Sequence, residues 1–255
     1  KVGNNSLVCL QNSQTLGVAK TFNRGIAYAI EQLKAKYIVK HDNDLILSKG
    51  ALNSLIKCAD GDEHIGIVGG KIYLYGKKRC IQEIGHKVCF LGGIPFLKRL
   101  GANVKDDCRF DRDMDVDIVN GCLMLFRSCL FSEIGYFCED FDKYGFEDFE
   151  YSLRARRRGY RVLYNHRVVG YHKVSHSEKN NTYNRTFYRA RNRILMVRKA
   201  FGNKAFFIHS VAFFIYLFYD CLVRKRDLLS LIKGHIAGIR KGLNLNEHKR
   251  KDDHK

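Results

Sequence analysis

The spacing of apolar residues predicts alternating strands and helices over the first two thirds of the chain. Short apolar runs at 7–10 and 37–39 are typical of buried strands. Between them, apolar residues recur every three or four positions and predict a helix with one face against a sheet: Val18, Phe22, Ile26, Ala29, Ile30 and Leu33. A strand, a helix and a strand in this order form the βαβ unit of a parallel sheet. The pattern therefore predicts an α/β fold with a mostly parallel, Rossmann-like sheet flanked by helices.

The same pattern continues further along the chain. A helix is predicted at 52–58 and strands at 65–73 and 161–164, whereas the glycines, basic residues and alternating acids of 77–117 indicate hairpins and loops. A mostly apolar strand at 117–126 is interrupted by Gly121. A glycine at such a position indicates either a β-bulge or a close approach of the backbone to a ligand.

The last quarter of the sequence predicts helices that meet an anionic surface. Arginines and apolar residues alternate over 183–199 as in a basic amphipathic helix, which is either a solvated face or a phosphate-binding one. The strongly apolar segment 205–223 is interrupted by His209 and Asp220 and is followed by Arg-Lys-Arg. This composition favours an interfacial helix on anionic lipid over a buried core helix or a true membrane span. The charged tail 246–255 is predicted to be disordered.

Composition narrows the choice of partners and compartment. The formal net charge of the 255-residue chain is +19, which favours an anionic partner such as phosphate, nucleic acid or acidic lipid. Nine cysteines without a Cys-x-x-Cys pair favour reduced thiols in a cytoplasm over a disulfide framework or a zinc site. No signal-like segment follows Lys1, and the sequence contains neither a P-loop nor a Gly-x-Gly-x-x-Gly motif.

Two aspartates at the end of a predicted strand are candidate metal ligands. Asp42 and Asp44 follow the run 37–39, and residues two apart in an extended chain project to the same side, with Asn43 pointing away. Paired carboxylates suit Mg²⁺ or Mn²⁺, and Mg²⁺ usually shares its coordination shell with substrate phosphates. A solvated Asp/Asn turn that closes the strand is the alternative. His172, after the last predicted strand, would join a metal site only if the sheet brings it to these aspartates.

An adjacent acidic pair is the second candidate group. Glu147 and Asp148 lie at the predicted start of a helix, where the helix dipole alone favours negative charge. Their flanking residues Phe146 and Phe149 indicate partial desolvation, which raises a carboxyl pKa and suits a general base.

The order of these motifs resembles a GT-A glycosyltransferase of family 2, of the rhamnosyltransferase-like kind, over nearly the whole sequence. Residues 16–26 are similar to the family's Gly-x-Ala-x-x-x-Asn-x-Gly-Ile segment, and Asp42-Asn43-Asp44 matches its Asp-x-Asp. The later matches are Asn120-Gly121-Cys122 to the acceptor-side strand, 134–137 to the Ile-Gly-Gly-Phe turn, Glu147-Asp148 to the Glu-Asp motif, and 188–192 to Tyr-x-x-Arg-Asn.

This resemblance implies a role for each matching residue. Asp42, Asp44 and His172 would hold Mg²⁺ or Mn²⁺ on the donor diphosphate, and Asp148 would deprotonate the acceptor hydroxyl, with Glu147 beside it. The donor phosphates would contact Gly17, Asn23, Gly25, Asp42 and Arg191. The acceptor would contact Gly121 and Glu147. The implied reaction is a metal-dependent, inverting transfer of a sugar from a UDP- or dTDP-sugar to a hydroxyl of a saccharide or polyprenyl-linked saccharide.

The resemblance also predicts the domain organisation. We expect a catalytic domain at 1–200, a membrane-associating helical region at 201–245 and the tail at 246–255. The family normally begins with two strands that hold the nucleobase and ribose, and we expect these to lie before Lys1 or to have been lost. We expect a cytoplasmic protein bound peripherally to the cytoplasmic face of a membrane, without a nucleic-acid partner.

Two other functions fit part of the sequence. A basic nucleic-acid-binding or membrane-surface protein without chemistry explains the charge but leaves Asp42, Asp44, Glu147 and Asp148 unexplained. A phosphatase that uses Asp-x-Asp normally has Gly-Thr soon after the second aspartate, and Leu45-Ile46-Leu47 follow Asp44 here.

Overall fold

The protein is described by a computed structural model that covers residues 6–91, 94–141, 143, 145–173, 182–223 and 228–252. In chain order the elements are α1 (Val18–Glu31), β1 (Tyr37–His41), β2 (Leu45–Leu47), α2 (Ala51–Asp60), β3 (Ile65–Leu74), β4 (Cys80–Glu83), β5 (Gly85–Leu91), β6 (Ile94–Leu100), β7 (Val104–Lys105), β8 (Met114–Val116), β9 (Leu123–Arg127), α3 (Cys129–Glu133), α4 (Glu147–Arg157), β10 (Arg161–His172), α5 (Thr182–Val223) and α6 (Leu228–Asp252). The α/β class that the sequence predicts is confirmed.

The central sheet is mixed, and this corrects the expectation of a mostly parallel sheet. Its strands follow the order β1-β9-β3-β10-β2, and within the described residues β3 and β10 are the one parallel pair. Strand β9 runs antiparallel to both of its neighbours, β1 and β3. The predicted βαβ unit fails because residues 7–10 form no strand and Leu7 is 98% exposed. A strand needs a hydrogen-bonding neighbour, and none of the described strands pairs with this segment.

Helices cover both faces of the central sheet. Leu123 and Leu125 of β9 point to the side of α2, where they pack with Leu55 and Val68. Met124 and Phe126 alternate with them and point to the opposite side, where Phe126 meets the Tyr151 ring of α4 at 5.5 Å. A strand with apolar residues on both faces is buried on both faces. Strand β9 is thus the centre of the core, and α1, α3 and α4 lie on one side of it.

The region 77–117 contains more regular structure than the sequence predicts. Strands β4, β7 and β8 join the central sheet, and β5 pairs with β6 in a separate two-stranded hairpin. Short strands with interspersed lysines and glycines carry a weak period-two signal, so sequence pattern separates them poorly from loops.

The two predicted C-terminal helical segments form one long element with a kink. Helix α5 joins 183–199 to 205–223 through Gly202, whose φ of 80° and ψ of −170° lie outside the helical region. Helix α6 packs against α5 and continues to Asp252, which corrects the disorder predicted from 246; residues 253–255 lie outside the described part. Lys, Arg and Glu are good helix formers, so an already packed helix can extend into them. Among the described residues, no helix combines the length and hydropathy of a membrane span.

Candidate active site

Asp42, Asp44 and His172 are brought together by two neighbouring strand ends. Asp42 follows β1, and its backbone N–H donates to the Cys122 carbonyl at 3.0 Å. A turn then leads into β2, with the Leu45 N–H bonded to the Asp42 carbonyl at 3.2 Å. Because Leu45 of β2 pairs with His172 at the end of β10, the turn and the histidine lie side by side. The aspartates therefore lie on a turn rather than on an extended strand end, but their carboxylates converge.

The three side chains fit a divalent cation. One ligand atom from each of Asp42, Asp44 and His172 lies within 4.8 Å of the others. His172 Nδ1 lies 2.9 Å from Gln82 Oε1, and Nε2 lies 3.0 Å from Asp44 Oδ1. If neutral His172 donates from Nδ1 to Gln82, its Nε2 lone pair faces the carboxylate, and either a proton or a cation has to lie between them. Two carboxylates and an imidazole whose second nitrogen is held by hydrogen bonding are a donor set suited to Mn²⁺ or Mg²⁺.

Lys40 connects this group to the turn before β9. Its side chain is 5% exposed, and its ammonium lies 3.2 Å from Asp42 Oδ1 and donates to the Gly121 carbonyl. The Phe22 ring of α1 lies 4.5 Å from the same nitrogen. A buried ammonium in these contacts is a fixed positive charge beside the candidate metal ligands.

The acidic pair lies on the other side of Gly121. Glu147 and Asp148 are buried in the first turn of α4, after Phe146, whose φ of 80° places it in the left-handed region. A Cβ on Gly121 would lie 2.0 Å from Asp148 Oδ2, so only glycine permits this approach. The structure explains Gly121 by a close approach of its backbone to the Asp148 side chain, whereas the sequence predicted either a bulge or a ligand as the neighbour.

Burial raises the pKa of both carboxyl groups above their ordinary values. It raises the pKa of Glu147, with the charge of Asp148 as the next cause, and it raises the pKa of Asp148, against the opposing charge of Lys40. Glu147 Oε2 and the amide nitrogen of Asn120 are buried without a hydrogen-bond partner. Buried polar atoms without partners are rare in folded proteins and are common where a substrate binds.

One open cleft of about 810 Å³ contains both groups. Its volume is that of a small-molecule binding site. The described residues that line it include the following: Thr15, Gly17, Thr21, Phe22, Lys40, Asp42, Glu83, Asn120, Gly121, Lys143, Glu147, Asp148, His172, Asn184 and Arg189. Two of the three candidate metal ligands, Asp42 and His172, thus face the same space as the candidate base Asp148.

Comparison with known proteins identifies the family. The profile of the family described as "Glycosyltransferase like family 2" matches residues 1–200. The chain belongs to this glycosyltransferase family. The assignment confirms the resemblance, and its fold expectation, GT-A, agrees with the α/β sheet flanked by helices. No curated protein sequence matches the chain.

Two solved glycosyltransferase structures resemble the chain weakly. GalNAc-T7 with UDP, GalNAc and Mn²⁺ has a TM-score of 0.49 and 15% identity over 64% of this chain and 31% of its own. The mannosyltransferase PcManGT from Pyrobaculum calidifontis, in complex with GDP-Man and Mn²⁺, has a TM-score of 0.49 and 14% identity over 92% of this chain and 68% of its own. The chain therefore spans about a third of the first protein's length. The family assignment comes from the profile match over residues 1–200 alone.

Three residues to which the family 2 resemblance assigns donor contacts do not line the cleft. The Asn23 side chain bonds both the N–H and the carbonyl of Phe137, at 3.0 and 2.9 Å, and so ties α1 to the turn before α4. Gly25 lies within α1. Arg191 is buried and donates to the Asp140 carbonyl at 2.7 Å, while Asn192 donates to the carbonyls of Lys143 and Gly145. Arg191 and Asn192 thus hold the loop that leads into α4.

Gly17, in contrast, lies in the cleft wall. Its φ of 85° requires glycine, and it precedes α1, whose first N–H groups are the usual anion-binding end of a helix.

The cleft also contains residues that the sequence reasoning did not select. Lys40 and Glu83 interrupt strands and carry no motif, and Arg189 lies two positions before the arginine that the family motif selects. The sequence could have distinguished Arg189 from Arg191 by helical periodicity, because residues two apart on a helix face different directions. Gln82, beside His172, has no sequence signal of its own.

Proposed function

We propose that this chain is the catalytic domain of a metal-dependent, inverting glycosyltransferase that moves a sugar from a nucleotide-diphosphate sugar to a hydroxyl of a saccharide or lipid-linked saccharide. One observation carries the proposal: Asp42 and His172 line one cleft with the buried pair Glu147 and Asp148, and Asp44 lies within metal-ligand distance of Asp42 and His172. Membership of glycosyltransferase family 2 supports the same reaction class.

The protein's own residues explain how the acceptor is activated. Asp148 accepts the proton of the acceptor hydroxyl, whose oxygen forms a bond to the anomeric carbon from the face opposite the leaving group. The bond between that carbon and the diphosphate oxygen breaks, and the diphosphate leaves with the electron pair. Burial, which raises the pKa of Asp148, makes it a stronger base than an exposed aspartate. A divalent cation held by Asp42, Asp44 and His172 would supply positive charge for the leaving diphosphate.

The cleft offers groups for both substrates. Lys143 and Arg189 line it and supply positive charge for the donor phosphates, together with the helix α1 end at Gly17. We propose UDP- or dTDP-sugars as donors. Glu147 Oε2 and Asn120 Nδ2, which have no partner, can bond the hydroxyls of the acceptor sugar.

The C-terminal helices support a lipid-linked acceptor at an anionic membrane surface on the cytoplasmic side. One stripe of α6 alternates exposed apolar and basic side chains at intervals of four and three residues: Leu229, Lys233, Ile236, Arg240 and Leu243. On α5, Phe207 and Val211 are exposed, at 68% and 58%. Amphipathic stripes of this kind bind at the interface of anionic bilayers.

A donor survey tests the proposal. Purified protein with Mn²⁺ is given UDP-, dTDP- and GDP-sugars and mixed saccharide acceptors, and released nucleoside diphosphate and the anomeric configuration of the product are measured. We expect one donor class to react with inversion and the reaction to stop when EDTA removes the metal. Asp107→Asn, which changes an exposed aspartate, is the control for Asp148→Asn. No transfer from any donor, with strong retention on RNA, would favour the nucleic-acid-binding alternative.

A further inference from the structure

Beyond its base, where Gly85 is buried and Leu100 packs against the main core, the β5–β6 hairpin has an outer face that neither the fold nor the cleft uses. Residues 85, 87, 89 and 91 of β5 share one face with their partners on β6, because side chains alternate along a strand. The opposite face carries Val88 and Leu97, which pack with Phe149 and Phe201 against α4 and α5. The face with Lys87, Cys89 and Leu91 therefore points away from the domain.

This outer face is apolar at its tip. The sequence 89–96, Cys-Phe-Leu-Gly-Gly-Ile-Pro-Phe, has no charged residue. On this face Leu91 is 74% exposed and Phe96 is 44% exposed; Phe90, on the opposite face beside the Phe201 ring of α5, is 62% exposed. Contiguous exposed apolar side chains on a soluble domain mark a site that another apolar surface covers.

The base of the same face carries two lysines in an unfavourable position. Lys87 and Lys98 are direct cross-strand partners, and like charges in such a pair destabilise a sheet. Within the described part of the chain, neither ammonium has a carboxylate at ion-pair distance. A bound anion would relieve their repulsion.

The hairpin's dimensions match a lipid surface. The tip pair Leu91 and Ile94 lies four positions beyond the lysine pair, which is about 13 Å along a strand. Apolar side chains of interfacial elements reach roughly 5–10 Å below the headgroups. With the tip at that depth, the backbones of the two lysines lie about 3–8 Å above the headgroup boundary, and their flexible side chains reach down to the lipid phosphates.

We propose that the tip of the β5–β6 hairpin inserts into an anionic lipid bilayer, with Lys87 and Lys98 on the lipid phosphates. The net charge of +19 favours the same partner. Leu91 is aliphatic and 74% exposed, so it suits a bilayer and cannot stack on a base, whereas the Phe96 ring suits either partner. The base of the hairpin adjoins the cleft, because His86 packs on Phe149 at 4.8 Å, next to Asp148. Docking at this point would place the cleft beside a lipid-linked acceptor, and only this last step rests on the proposed function.

Intrinsic fluorescence tests the insertion, because the chain contains no tryptophan. Phe96→Trp creates a single reporter at the tip, and Leu52→Trp creates a matched reporter at an exposed leucine of α2. With phosphatidylcholine vesicles that contain phosphatidylglycerol, we expect a blue shift and quenching by brominated lipid for the tip reporter and neither change for the α2 reporter. Equal behaviour of the two reporters would overturn the proposal.

Vesicle sedimentation tests the contribution of each part. We expect Leu91→Ser with Phe96→Ser, and separately Lys87→Gln with Lys98→Gln, to weaken partitioning onto anionic vesicles by roughly tenfold or more. The controls, Leu52→Ser with Ile56→Ser and Lys49→Gln with Lys57→Gln, change exposed residues in and next to α2 and should bind like the wild type. Wild-type affinity in both hairpin variants, or no vesicle binding by the wild type, would contradict the proposal.

Two further readouts separate this surface from other roles. If the tip instead joins two copies of the chain or binds RNA, the hairpin variants will change the oligomeric mass or RNA retention and leave vesicle binding as it is, which overturns the proposal. Transfer to a water-soluble acceptor should be unchanged in the hairpin variants, and Asp148→Asn should bind vesicles normally. If the wild type transfers no sugar but the hairpin variants lose vesicle binding, the proposed function is refuted. The membrane insertion of the hairpin is then still supported.

Discussion

Lys71 and the pair Glu147 and Asp148 are all buried charged residues, but their surroundings differ. The Lys71 ammonium lies 3.2 Å from Asp106 and also contacts Asp111, and the Tyr73 hydroxyl donates to Asp106. Burial alone would raise the pKa of Asp106, but these hydrogen bonds hold it below its ordinary value. Glu147 and Asp148 are two adjacent acids with raised pKa values, and one oxygen of Glu147 has no partner.

The difference separates a structural cluster from a functional one. Around Lys71, opposite charges and hydrogen bonds are complete, and they attach the loop at 106–111 to β3. Around Asp148, like charges are close together and polar atoms lack partners, an arrangement that costs stability unless a substrate completes it. Removing a charge should therefore have opposite consequences in the two places.

The largest effect is expected for Asp148→Asn. The amide cannot accept a proton, so the transfer rate should fall by about 10³-fold, within the range for loss of a general base. Stability in urea should stay equal or increase, because a costly buried carboxyl is replaced by a neutral group. Asp106→Asn should do the reverse, with lower stability and an unchanged rate per folded molecule. A transfer rate for Asp148→Asn near that of the wild type would show that another residue is the base.

Lys71→Met should destabilise the fold by about 3 kcal/mol, because the buried Asp106 loses its nearest cation and keeps Arg79, which is half-exposed and 3.8 Å away. The measurement is the free energy of unfolding in urea, with Lys57→Met on the exposed face of α2 as the control. The rate per folded molecule should not change. A shift no larger than that of the control would mean that the Lys71 cluster does not stabilise the fold.

Gln82→Leu should weaken Mn²⁺ binding by roughly tenfold, because the glutamine orients His172 and such outer partners typically contribute this much. Isothermal titration of the metal gives the affinity. Gln14→Leu, at a position remote from these contacts in sequence, is the matched change. Equal affinities would remove Gln82 from the site.

The smallest effect is a shift in pH dependence. A base must be ionised, and burial raises the pKa of Asp148, so kcat/KM should rise with pH through a midpoint above the ordinary range of roughly 4 for an aspartate. Stability moves the other way for this group, because the folded state holds the proton more tightly and loses that advantage as pH rises. A midpoint at or below 4, after correction for metal binding, would contradict the buried environment.

The sequence predicted which residues lie close together at the candidate site better than it predicted the arrangement of strands in the sheet. The order of the family's motifs selected Asp42, Asp44, His172 and Asp148; taken singly, these residues also have structural explanations, as parts of a turn, a strand end or a helix start. The predicted strand directions were wrong because a pattern of strands and helices does not specify which strands become neighbours. In the structure, β9 lies between β1 and β3, although it follows both in the sequence.

The residues that surround the candidate ligands could not be predicted from the sequence for a related reason. Lys40 donates to the Gly121 carbonyl, Gln82 lies beside His172 and Glu83 lines the cleft, and nothing in their own neighbourhood along the chain indicates this. Arg191 was chosen by family motif, whereas in the structure it holds a backbone carbonyl and Arg189 lines the cleft. The β5–β6 hairpin was likewise not recognised, because its segment has the composition of a loop.

The central claim is that Asp42, Asp44 and His172 hold one divalent cation in the cleft that contains Asp148. Electron paramagnetic resonance of free Mn²⁺ during a titration measures that binding directly. We expect one Mn²⁺ site per chain in the wild type and in Asp148→Asn. The affinity for Mn²⁺ should be at least tenfold weaker in each of Asp42→Asn, Asp44→Asn and His172→Ala. Wild-type affinity in all three ligand variants would contradict it.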